Sequence, residues 1–128
     1  PDVPRYRNAF PRFLFTELHA DRMKLGVVLY SNDPETVYQA FRLGIYALGQ
    51  GDSVNMFLLA KGVECEDLDN EQFNITKEIQ GFLDAGGRTY SCTSCMRLRA
   101  KGESQACPLS KMADLYRIIA ESDRVITL

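Results

Sequence analysis

The chain has 128 residues, 45% of them apolar and 25% charged, the makeup of an ordinary globular protein, and its length favours one domain over two. A formal net charge of -2 supplies no global positive field, which argues against nucleic acid or an anionic membrane as the main partner. No apolar run approaches the roughly 18 residues needed to span a bilayer, and Pro, Arg and Asn interrupt the N-terminal stretch where a secretory leader would lie, so a cytoplasmic protein is expected.

Residues 1–22, "PDVPRYRNAFPRFLFTELHADR", carry three prolines and the aromatics Tyr6, Phe10, Phe13 and Phe15 without a sustained helical or strand period. They read as an extended arm. Aromatic side chains are costly to leave in water, so the arm is expected to pack on the body or on a neighbouring subunit.

The body, residues 23–128, has a sharper pattern. "KLGVVLY" from Lys24 is a short apolar run bounded by turn residues, as in a strand buried on both faces of a parallel sheet. Asp33 is placed to cap a helix, with Pro34 at its first position and Glu35 in its first turn. Val37, Ala40, Phe41, Gly44, Ile45 and Leu48 then recur at helical spacing until Gly49 or Gly51. "SVNMFLLA", Ser53 to Ala60, is a second strand, and the acidic "KGVECEDLDNEQFN" after it reads as a long loop.

Ile75, Ile79, Phe82 and Leu83 mark a second helix that ends at Gly86-Gly87, and "RTYSC" is a third strand with Cys92 at its carboxyl end. A short helical piece is expected at "MRLRAK", followed by a loop, "GESQACPLS". Ser110 is expected to cap a helix built on Met112, Leu115, Tyr116 and Ile119, and "RVITL" closes the chain as a strand. Strand and helix alternate throughout, which predicts an α/β fold with a mainly parallel sheet. In such sheets ligands sit beyond the carboxyl ends of the strands.

That rule directs attention to "SCTSCMRLRAKGESQACP", Ser91 to Pro108, which holds three of the four cysteines. No GxGxxG or P-loop follows the first strand, so nucleotide binding has little support and no cofactor is expected. The single histidine, His19, lies in the arm, and an isolated histidine is more often a surface or packing residue than a catalyst. A zinc reading takes Cys92, Cys95 and Cys107, with Cys65 or His19 as the fourth ligand. It has one CxxC knuckle where the strong signal has two, and a body with this much apolar periodicity has little need of a metal. No resident metal is expected.

Two thiol readings use the same residues. In a dithiol redox protein, Cys92 attacks and Cys95 resolves the mixed disulfide, although Thr93-Ser94 lacks the aromatic flanks of thioredoxin-like motifs. In a sulfur carrier, one thiolate at the strand end holds a labile sulfur as a persulfide, its pKa lowered by helix N–H groups and by Arg97, Arg99 and Lys101. A solvated basic helix face is the plainer account of those charges, and Cys65 alone reads as a small hydrophobe. On the residues themselves, sulfur carriage and dithiol exchange stand nearly level.

From Met23 to Leu128 the sequence resembles the DsrE family, which includes the TusD-like sulfur-relay proteins. The likeness rests on "MKLGVVLYSNDPETVYQAFRLG", "VNMFLLAKGVE", "FLDAGGRTYSCTSCMRLRAKG" and "CPLSKMADLYRIIAESDRVITL" in that order. The resemblance implies a three-layer α/β/α sandwich and a homotrimer or hexamer. It also implies a sulfurtransferase-like role, with sulfur passed from a donor protein to an acceptor protein. Its sulfur-carrying cysteine follows the third strand, which is Cys92 here. Cys95 is an addition to the single-thiol pattern, so sulfur moving among Cys92, Cys95 and Cys107 is an alternative to sulfur resting on Cys92.

Overall fold

A computed structural model describes residues 22–128. The readings that fall on the arm, including its aromatic residues and His19, lie outside the described residues. Strand β1 (Lys24–Leu29) is buried from Leu25 onward, as its unbroken apolar run requires of a central parallel strand. Helix α1 (Pro34–Gly49) follows, and the Asp33 carboxylate caps it, accepting from the Thr36 N–H and hydroxyl at 2.9 Å each. Those two bonds hold the Asp33 carboxyl below its ordinary pKa.

The order continues with β2 (Ser53–Leu58), a 3-10 helix (Ala60–Asp67), α2 (Ile75–Asp84), β3 (Arg88–Cys92) and α3 (Thr93–Leu98). It closes with β4 (Leu109–Ser110), α4 (Met112–Glu121) and β5 (Arg124–Thr127). The five strands form one sheet in the order β4-β3-β2-β1-β5, and every pairing is parallel. The fold is α/β, with helices on both faces of the sheet.

Strand alternation divides the interior in two. Leu25, Val27 and Leu29 of β1 and Val54, Met56 and Leu58 of β2 point to the face covered by α1 and α2, where Phe41 and Phe82 meet edge to face at 5.5 Å. The two helices close tightly because residue 44 is glycine: a Cβ there would lie 2.6 Å from the Phe82 ring. Val28, Phe57 and Cys92 point the other way and meet Leu115 and Ile118 of α4. Each large side chain buried in these layers contributes about 1.5–3 kcal/mol.

Three local readings need correction. The segment after β2 is not a loop throughout, because residues 60–67 form the 3-10 helix, buried through Gly62, Val63 and Cys65. It crosses the end of β1 so closely that a Cβ on residue 62 would come within 1.9 Å of the Leu29 carbonyl oxygen; glycine is required there by space. Helix α3 starts at Thr93, directly after Cys92, and ends by Leu98, with Arg99 as its C-cap. Ser110 does not cap α4, because it is spent in β4, where its hydroxyl donates to the Pro108 carbonyl. The cap falls one residue later, where the Asp114 carboxylate accepts from the Lys111 N–H at 2.8 Å.

Candidate functional site: a thiol pair at the end of β3

Strand β3 ends at Cys92, whose side chain is 5% exposed among Val28, Phe57, Leu115 and Ile118. The turn into α3 brings several hydrogen-bond donors around its sulfur: the backbone N–H groups of Ser94 and Cys95, the Cys95 thiol, and the Ser94 hydroxyl at 3.3 Å. Thr93 fixes the start of that turn by donating to the Ser110 carbonyl at 2.7 Å, which ties α3 to β4. Cys95 is half-buried and touches both halves of the core. Its sulfur accepts the Ala60 N–H at 3.2 Å. Ala60 aims that N–H from the left-handed region, at φ +50°.

The donors settle where the proton sits. Burial pushes the Cys92 thiol up, but the hydrogen bonds from Cys95, Ser94 and the two amides outweigh it and hold the group below its ordinary pKa. Cys95 is raised, first by burial and then by its role as donor to Cys92; the Ala60 N–H and the Arg99 charge offset this only in part. The charge therefore belongs on Cys92 and the proton on Cys95.

The basic residues sit differently from the expectation. Arg99 donates to Glu64 Oε2 at 2.7 Å and to the Cys95 carbonyl at 3.1 Å, while Glu64 also accepts from Asn32 at 3.1 Å. Those two donors, Arg99 first, hold Glu64 below the usual carboxylate range. Lys101 pairs with Asp67. Arg97 is exposed and makes no ion pair among the described residues. The Cys92 anion is thus favoured chiefly by neutral donors, with much of the cationic charge answered by the acids of the 3-10 helix.

Cys107 does not join Cys92 and Cys95. It is fully buried in the face covered by α1 and α2, where its partner is the equally buried Cys65. The four cysteines, all free, thus fall into two pairs. Among the described residues no group of three or more His, Cys, Asp or Glu is arranged to hold a metal ion.

Sequence reasoning missed Ala60, Glu64 and Asn32. The run "ECED" before a basic "RLRAK" carried the available signal, two short segments of opposite charge. A cavity of about 340 Å³ opens at the ends of β1 and β2, lined by Tyr30, Ser31, Asn32, Lys61 and the Ala60 whose N–H meets the Cys95 sulfur; neither Cys92 nor Cys95 lines it. A larger groove of about 670 Å³ lies along α1, around Gln39, Arg42 and Tyr46, and includes no cysteine.

A five-stranded parallel sheet with a cysteine pair beyond its third strand defines an α/β protein with a thiol site at the carboxyl edge. The chain belongs to the DsrE/DsrF-like family, whose model matches residues 23–128. Among its relatives, the uncharacterized protein MJ0989 of Methanocaldococcus jannaschii is 31% identical over 99 residues, which cover 73% of this chain and 87% of that protein. The uncharacterized protein MK0008 of Methanopyrus kandleri is 29% identical over 98 residues, 72% of this chain and 81% of that one. The same fold occurs in the ychN protein of E. coli, with a TM-score of 0.73 at 17% identity over 83% of this chain and 99% of that one. It recurs in the protein BT1422 of Bacteroides thetaiotaomicron, with a TM-score of 0.69 at 15% identity over 82% and 94%. Among the described residues no helix is long and apolar enough to cross a membrane.

Proposed function

We propose that this protein carries sulfane sulfur as a persulfide on Cys92, within a cytoplasmic sulfur relay. The observation that supports this reading best is the set of donors converging on one sulfur: the Cys95 thiol, the Ser94 hydroxyl and two backbone amides. They favour a thiolate, the form that attacks. The Cys92 thiolate attacks the outer sulfur of a donor persulfide, a new S–S bond forms at Cys92, and the donor's inner sulfur leaves as a thiolate. The same donors then stabilise the terminal sulfur anion until an acceptor thiolate takes it. Arg97 offers an exposed charge beside the site to a docking partner. Small homo-oligomers, trimers or hexamers, belong to this reading, as do separate donor and acceptor proteins.

Intact mass after incubation with a persulfide donor tests it. The wild type should gain 32 Da steps, and Cys92→Ser should gain none; normal loading of that variant would remove Cys92 from the role. Dithiol exchange is the second reading, favoured by the opposite pKa shifts that Cys92 and Cys95, one helical turn apart, impose on each other. Reduction of a protein disulfide by the wild type that disappears in Cys95→Ser, together with a trapped mixed disulfide, would establish that reading instead.

A further inference from the structure

We propose that Cys65 and Cys107 form a second, interior redox site: a dithiol that peroxide closes to a disulfide, fastening the 3-10 helix to the 99–108 loop. This goes beyond sulfur carriage and does not rest on it.

Cys65 lies on the 3-10 helix and Cys107 in the loop before β4, far apart in sequence, yet both are fully buried in one core cluster and each thiol shifts the proton affinity of the other. The two segments are bridged by a single hydroxyl. Ser104 Oγ donates to Glu66 Oε1 at 2.8 Å, next to Cys65, and accepts the Cys107 N–H at 3.0 Å. The Lys101–Asp67 ion pair ties the same two segments a few residues further along. No helix or strand spans residues 99–108, and Gly102, Glu103 and Gln105 within them are exposed, so local opening of this loop admits a small oxidant to Cys107.

The pair is also unequal. The neighbouring Cys107, together with burial, drives the Cys65 thiol far up. Cys65 in turn lowers Cys107 in spite of burial, and the nearby Ser91 hydroxyl, which has no other hydrogen-bond partner among the described residues, adds to the effect. Cys107 is the nucleophile. Its thiolate attacks one oxygen of hydrogen peroxide, giving the sulfenic acid and hydroxide, which takes up a proton to become water. Cys65 then attacks the sulfenic sulfur, the S–S bond forms, and the hydroxyl leaves as a second water with the Cys65 proton. Two thiols are oxidised by two electrons and one peroxide is reduced.

The test uses the full chain as Cys92→Ser with Cys95→Ser, which removes the outer pair, and a non-reducing peptide map of the wild type in parallel. Hydrogen peroxide at neutral pH should remove 2 Da between Cys65 and Cys107, yield one peptide joining them, and be reversed by dithiothreitol. The linked protein should melt at a temperature higher by about 5 °C or more, since the bond closes a long loop. Oxygen added to either sulfur without a joined peptide, two unmodified thiols in both proteins, or a joined protein with unchanged Tm would each overturn the proposal.

Discussion

The two cysteine pairs share one pattern, a thiol lowered in pKa beside a thiol that is raised, and differ in what surrounds them. Cys92 and Cys95 lie at a strand end where backbone amides and a serine hydroxyl are turned toward sulfur. Cys65 and Cys107 lie inside a hydrocarbon layer with one unsatisfied serine hydroxyl nearby. A thiol pair becomes a reactive site through the donors and access around it; the interior pair has the pairing but little of the access.

The largest test of this contrast is alkylation at neutral pH. Iodoacetamide should label Cys92 first, with Cys65 and Cys107 slower by about a hundredfold or more until denaturant is added, since their labelling needs local opening. Equal rates at all four cysteines would erase the distinction. Stability should divide in the opposite sense. Cys107→Ala should cost about 1–3 kcal/mol in denaturant unfolding through a cavity and a lost partner, whereas Cys95→Ala, at a half-buried site, should cost less than half of that.

The contrast sharpens when the pH profile of Cys92 alkylation is followed. Because its pKa is depressed, the thiolate persists below the ordinary cysteine range and is lost only as pH falls through the lowered value. Cys95→Ala removes a donor, so the profile should move to higher pH. The rate at neutral pH should then fall several-fold, with the deficit closing as pH rises above the new value; a profile that stays in place would mean that Cys95 does not hold the anion. The smallest effect is expected of Arg97→Ala, which should leave that profile within about twofold of wild type in rate, because neutral donors dominate the shift. A large fall would restore the basic face to a direct part in activating Cys92.

The frame of this fold was legible where the signals were local. Apolar runs between turn residues placed β1, β2 and β3, and an aspartate followed by proline placed the start of α1. The CxxC spacing also carried the contact between Cys92 and Cys95, since one helical turn separates them. What stayed hidden depends on residues distant in the chain. The 3-10 helix forms where Gly62 lets the backbone cross β1. Arg99 and Lys101 find acids more than thirty positions away, and Cys65 has no neighbour in sequence to announce Cys107. Ser110 looked like a cap because its rival use, a two-residue strand, leaves no pattern.

Ala60 carries one more implication. A residue with a side chain in the left-handed region costs about 1–2 kcal/mol relative to the ordinary helical one, and Ala60 holds that torsion while its N–H meets the Cys95 sulfur. Glycine would take the same bend without strain, but it would have many other bends open to it. The methyl group acts as a stop that narrows these choices. Whatever turns this one residue out of its torsion withdraws the N–H from Cys95, so the balance of charge between the two thiols is linked to a single backbone rotation on a segment that contributes neither of them.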